Sequence, residues 1–208
     1  MKMNNRWNRI IYRLWAPVYD STAAHFFARG RKQAMQILDL QAGERLLLVG
    51  VGTGLDLPLL PQGVEAVGID LSPAMLARAR ARLPLPGRNV TLIQGDAQKL
   101  LVGEGSFDAV LFNLILSVIP DGAACLRENL RALKPGGRAV IFDKFLPDDG
   151  KLSFRRRLLN LGSTLFGTDI TRRFCDLAKG CRITMLSNEP SLLRGAYRVI
   201  LIKRPAQG

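Results

Sequence analysis

Leu47-Leu48-Val49-Gly50-Val51-Gly52-Thr53-Gly54 is the stretch that decides how this chain folds. Arg45–Val49 is an apolar run with no polar face, the pattern of a strand buried on both sides, and it stops at a set of alternating glycines. Glycines there let the backbone turn sharply and approach a ligand with no Cβ in the way. A helix after them would offer free N–H groups to that ligand. Asp70 lies 20 residues beyond Gly50, at the tip of a second apolar run, Val64–Ile69. A carboxylate at that place can accept both hydroxyls of a ribose.

Working outward, strands and helices alternate. Ser72-Pro73 opens a helix with an N-cap and a proline at the first helical position, and Pro84 stops it. Val90–Ile93 and Phe107–Phe112 read as further strands, followed by a helix over roughly Gly122–Leu133. Lys134-Pro135-Gly136-Gly137 reads as a stop and turn before a fifth strand, Arg138–Phe142. Strands separated by helices require right-handed crossovers, hence an α/β fold with a doubly wound, mostly parallel sheet. Near the end, Arg182–Ser187 and Tyr197–Ile202 read as two more strands joined by a loop.

The glycines narrow the ligand. A dinucleotide fingerprint reads G-x-G-x-x-G, but this run is G-x-G-x-G, with Leu55 where the third glycine would stand. No G-x-x-x-x-G-K-[ST] phosphate loop occurs. A nucleoside without a pyrophosphate fits better. The third strand ends in Gly95-Asp96-Ala97, which brings another carboxylate to the same sheet edge, suited to an adenine amino group.

These runs, with Gly68-Ile69-Asp70-Leu71-Ser72-Pro73-Ala74-Met75-Leu76, Phe107-Asp108-Ala109-Val110 and Leu133-Lys134-Pro135-Gly136-Gly137, resemble the successive motifs of class I S-adenosylmethionine-dependent methyltransferases. The resemblance covers about residues 45–143. It implies a Rossmann-like sheet of seven strands, the last two forming a C-terminal antiparallel hairpin, and S-adenosyl-L-methionine as the cofactor. It further implies that Gly50, Gly52 and Gly54 line the methionine part and that Asp70 holds the ribose. Leu71 and Met75 would flank the adenine, Asp96 and Ala97 would read its edge, and Asn113 would face the sulfonium end. One departure stands out: the family usually has an acid two positions before the first motif glycine, and this chain has Leu48. Asp56 and Tyr19 are possible substitutes.

Outside the central motifs, Trp15-Ala16-Pro17-Val18-Tyr19-Asp20 and Glu189-Pro190-Ser191-Leu192-Leu193-Arg194-Gly195-Ala196-Tyr197-Arg198 resemble bacterial phospholipid N-methyltransferases, acting on phosphatidylethanolamine, and their ubiquinone- and menaquinone-biosynthesis relatives. In such enzymes the Tyr-Asp pair closes over the cofactor, so Tyr19 becomes a candidate for both cofactor binding and the reacting end. Residues 1–40 are then expected to form a basic amphipathic helical arm or lid. Residues 41–208 would be the methyltransferase domain, with a basic helical insertion at about 150–180.

Composition and charge bear on the acceptor. The chain has 208 residues, 48% hydrophobic and 23% charged, enough for one domain with a real core. Its net charge of +13 is uneven: residues 1–40 carry +5, residues 41–143 are neutral, and residues 144–208 carry +8. Basic ends around a neutral centre point to an anionic partner surface, the alternative being solubility alone. Trp7, Ile10, Ile11, Leu14 and Trp15 follow one apolar helical face, with Arg6, Arg9 and Arg13 on the polar side. That arrangement suits a bilayer interface, and also a helix packed on its own domain or on a second subunit. Lys151–Phe166 repeats the theme with Arg155-Arg156-Arg157 beside leucines.

The expected acceptor is a lipid or lipid-like molecule, such as the amine of phosphatidylethanolamine, with an anionic membrane surface as partner. The alternatives are a quinone precursor or soluble small molecule, and a module that binds the cofactor without turnover. Sparse aromatics among the arginines count against nucleic acid. No apolar run reaches the length of a spanning helix, and three cysteines without a CxxC pair suggest reduced thiols, small and buried, in a cytoplasmic protein peripherally bound to membrane. His25, the lone histidine, is expected to pack or cap rather than catalyse.

Overall fold

Register is what brings the separated motifs together. In the computed structural model, β1 (Arg45–Val49) pairs in parallel with β2 (Glu65–Asp70) on one side and β4 (Phe107–Asn113) on the other. Val49 stands opposite both Ile69 and Phe112. The next residue of each strand, Gly50, Asp70 and Asn113, therefore emerges at one level of the sheet edge. The structure describes residues 4–146 and 168–206; in the first helix the side chains of residues 6–9, 12–19 and 21–23 also lie outside that description. Lys151–Phe166 falls outside it as well.

The sheet has seven strands in the order β3-β2-β1-β4-β5-β7-β6, with β3 at Asn89–Gln94, β5 at Leu133–Lys144, β6 at Thr184–Pro190 and β7 at Tyr197–Lys203. β1 to β5 run parallel; β7 runs antiparallel to β5 and to β6, closing the fold with a hairpin. One face is covered by α1 (Asn5–Leu38) and α2 (Pro73–Arg80), through Ala34, Met35, Leu38, Leu76 and Ala79. The other is covered by α3 (Gly122–Ala132) and α4 (Phe174–Leu177), through Cys125, Leu126, Leu130, Phe174 and Leu177. Ser72 caps α2, its Oγ accepting from the Met75 N–H, and Asp121 caps α3 by accepting from the Ala124 N–H.

Three details differ from the sequence reading. The glycine loop leads only to a short 3-10 turn, Leu57–Leu59, because Pro61 disfavours helical geometry at Leu60, which is extended. Lys134-Pro135-Gly136-Gly137 does not precede β5 but lies within it. The register there slips from Phe107↔Leu133 to Ala109↔Arg138, so the proline and glycines bulge out while pairing continues on both sides. In α1, Ile10 is 45% exposed and Ile11 only 8%, which splits the expected apolar face between solvent and protein.

α1 is seated deeply along its second half. Gly30 lies against Phe142, whose ring packs with those of Phe27 and Tyr197 in a mutual cluster of three. A Cβ at Gly30 would enter the space of the buried Phe142 ring. Gly30→Ala should therefore destabilise the protein by about 1–3 kcal/mol despite alanine's higher helix propensity. Urea unfolding checks this; a more stable variant would mean that α1 is not held against β5 as described.

Candidate active site

The order β2-β1-β4 reverses the direction of chain winding at β1, and an open α/β sheet offers a crevice beyond its strand ends at such a point. A cavity of about 840 Å³, counting its open mouth, lies there. Gly50, Gly52, Asp70, Leu71, Met75, Asp96, Ala97 and Asn113 all line it. Gly54 does not. An added Cβ at Gly54 would meet Leu57 and the backbone of Ala79, so this glycine serves the close approach of α2 to the loop rather than the ligand. Gly52 is the contrary case: its φ is +57°, and a Cβ there would meet only the Gly50 carbonyl at 3.9 Å, with cavity beyond. The backbone is thereby laid bare to a ligand.

Asp70 organises the loop from across the crevice. Its Oδ2 accepts from the Gly52 N–H at 2.8 Å and its Oδ1 from the Ser72 N–H at 2.8 Å. Burial pushes its pKa above the ordinary 3.8, and the backbone N–H bonds from Ser72, Gly52 and Leu71 oppose that shift. Asp96 is engaged likewise: Oδ1 accepts from the Gln98 N–H at 2.9 Å and Oδ2 from Asn5 Nδ2 at 2.7 Å. Asp70 can still accept from a ribose hydroxyl, whereas both Asp96 oxygens also accept from Gln98 Nε2, at 3.0 and 3.3 Å, contacts that an adenine donor would have to share or displace.

Asn5, Arg31 and Arg82 lay beyond the sequence reading, and Asp20 and Asp56, which it named, find their partners here. Asn5, at the start of α1, lines the cavity beside Asp96. Asp20, also on α1, accepts from Thr53 Oγ1 of the glycine loop and from Arg82 Nη2 at 2.6 Å, while Arg82 Nε donates to the Thr53 carbonyl. The side chain of its neighbour Tyr19 lies outside the described residues. Arg31 reaches the cavity wall and pairs with buried Asp56 at 2.7 Å. A signal for Arg31 did exist: it falls on the buried stripe Phe27, Gly30, Ala34, Met35, Leu38, where a charge needs a partner.

The loop after β4 forms the opposite wall through Leu114, Ile115, Val118 and Ile119. Asp143 holds it, Oδ2 accepting from the Ser117 N–H at 2.9 Å. Arg172 donates to the Leu116 and Pro120 carbonyls, and the Asp169 N–H to that of Ser117. Burial raises the Asp143 pKa and lowers that of Lys144, each against the attraction between them. Of the cysteines, Cys125 is buried but Cys175 is exposed beside Asp176, against expectation; His25 is exposed on α1 as well.

The comparisons with known proteins agree with this geometry. A family model described as a methyltransferase domain matches residues 47–141. The phosphatidylethanolamine N-methyltransferase of Cereibacter sphaeroides is 36% identical over 144 residues, covering 68% of this chain and 70% of that protein. The chain belongs to the class I S-adenosylmethionine-dependent methyltransferases. The demethylmenaquinone methyltransferase of Beutenbergia cavernae is 35% identical over 118 residues, 56% of this methyltransferase and about half (48%) of the relative. The solved S-adenosylmethionine-dependent methyltransferase from Mesorhizobium loti superposes with a TM-score of 0.67 over 84% of this chain and 98% of its own, a likeness of fold at 21% identity.

S-adenosylmethionine fits the residues present: an open glycine backbone at Gly52, carboxylates at the tip of β2 and just past β3, and the buried amide of Asn113 at the tip of β4. Asp70→Ala should weaken S-adenosylmethionine binding roughly tenfold to a hundredfold, the worth of about 1.5–3 kcal/mol for a charged hydrogen bond. Gly52→Val should weaken it further. Because the Asp70 pKa is raised, protonation on acidification should begin to weaken binding before pH falls to 3.8, and Asp70→Asn should flatten that part of the profile. Calorimetry across pH checks all three; unchanged affinity in Asp70→Ala would remove Asp70 from the ribose.

Proposed function

We propose that this methyltransferase acts on a lipid or lipid-like acceptor, the amine of a phosphatidylethanolamine headgroup, while resting on an anionic membrane surface. The observation that carries this reading is the 36% identity with a phosphatidylethanolamine N-methyltransferase over 70% of that relative's length. The basic ends around a neutral centre and the tryptophan–arginine pattern of residues 6–15 support it. No described helix is long and apolar enough to cross a membrane, so in this reading attachment is by surface contact.

Bound S-adenosylmethionine supplies a methyl group already activated by its sulfonium. What the chain must do is hold the acceptor in line with it and exclude water. An amine has to arrive neutral, which an apolar wall such as Ile115, Val118 and Ile119 favours by penalising the ammonium. In this proposal residues 1–40 act as the arm that closes the site, and Tyr19 offers its hydroxyl at the reacting end. Lys151–Phe166 would extend the basic rim on charge pattern alone.

A second reading, methylation of a quinone precursor, is favoured by the demethylmenaquinone methyltransferase relative. Incubation with labelled S-adenosylmethionine and a total lipid extract separates the two. Label in N-methylated phosphatidylethanolamine supports the first, label in a quinone the second, and label in neither would sink the lipid acceptor. The protein should also sediment with anionic but not zwitterionic vesicles, each surface Lys or Arg contributing about 1 kcal/mol. High salt should release it. Changing Arg155, Arg156 and Arg157 to Glu should weaken vesicle binding and leave S-adenosylmethionine affinity in solution unchanged. Indifference of the wild type to anionic vesicles at low salt would turn the search to soluble acceptors.

A further inference from the structure

We propose that Arg31, Asp56 and Asn113 form the clamp for the amino-acid end of S-adenosylmethionine, replacing the acid that β1 lacks at Leu48. The proposal rests on the family's methyl donor being the ligand of this cavity. Leu48 is 2% exposed and packs with Leu111 and Val140 on the α1 face of the sheet, so β1 offers no carboxylate to an ammonium. A carboxylate is present nonetheless, from a different element. Asp56 precedes the 3-10 turn Leu57–Leu59, and its side chain makes no capping bond to that turn. It is directed instead to two buried partners: Oδ2 accepts from Arg31 Nη1 at 2.7 Å and Oδ1 from Asn113 Nδ2 at 2.8 Å.

This arrangement dictates what Asn113 presents. With its amide nitrogen donating to Asp56, its carbonyl oxygen must face the other way. Asn113 is 6% exposed and lines the cavity, and Oδ1 has no hydrogen-bond partner among the described residues. A buried acceptor is costly to leave unpaired, and an ammonium brings three donors. Arg31 lines the same wall, and its guanidinium matches a carboxylate in shape and charge. The Arg31–Asp56 pair is neutral as a unit, as is an amino-acid zwitterion. The ligand carboxylate would meet Arg31 and its ammonium the Asn113 carbonyl, while Asp56, which lies behind them and does not line the cavity, balances the guanidinium and fixes the amide. Asp70 and Asp96 meanwhile keep the nucleoside end.

The test compares two ligands that share the thioadenosine part. S-adenosylhomocysteine carries the amino-acid end; 5′-methylthioadenosine lacks it. Calorimetry on the wild type should find S-adenosylhomocysteine bound more than about tenfold tighter, as several charged hydrogen bonds require. In Asn113→Leu, and in the paired replacement Arg31→Met with Asp56→Leu, that advantage should shrink about tenfold or more while 5′-methylthioadenosine affinity stays within roughly twofold. Thermal unfolding confirms that the variants fold. Equal losses for both ligands would make the three residues a mere strut between α1 and β4. Equal wild-type affinities would overturn the clamp even if neither variant folds. Wild-type binding of neither ligand would instead remove the donor assignment, and the clamp with it.

Discussion

Everything at this site depends on the parallel register of β1 between β2 and β4. Hydrogen bonding fixes Val49 against Ile69 and Phe112, and a shift of one residue would turn every side chain to the opposite face of the sheet. The register is secured by burial on both faces. Leu46 and Leu48 point into the cluster shared with α1 and α2, and Leu47 and Val49 into the cluster shared with α3 and α4. Gly50, Asp70 and Asn113 then have no choice but to appear together.

α1 is joined to this edge by polar contacts as well as apolar ones. Asn5 meets Asp96, Asp20 meets Thr53 and Arg82, and Arg31 meets Asp56, so one helix touches both ends of the cavity and its glycine loop. A buried ion pair such as Arg31–Asp56 is weak evidence for stability, since desolvation offsets much of the attraction. Its position on the cavity wall gives it a different rationale, recognition of a dipolar ligand. The opposite wall follows the same principle. Asp143, Asp169 and Arg172 engage backbone groups between Leu116 and Pro120, fixing the loop's shape and leaving its apolar side chains for the cavity.

The amino-acid sequence alone determined the sheet and the glycines and carboxylates that stand at its edge. Those features are local or nearly so: an apolar run ending in glycines, a carboxylate at the next strand tip, and a Ser-Pro helix start, each produced by short-range sterics and burial. Gly54 shows where local reading falters. In sequence it is one of three equivalent glycines, yet the packing of α2 against Leu57 and Ala79 takes it out of the cavity. Only the tertiary structure decided that Arg31, Asp56 and Asn113 meet at the cavity wall. The three come from parts far apart in the chain; the sequence puts Arg31 on a buried stripe and offers Asp56 and Asn113 as candidates, yet nothing local says that they meet. A buried charge acquires its meaning from the partner that folding brings within hydrogen-bond distance, and that partner is specified by the packing of α1 across the sheet.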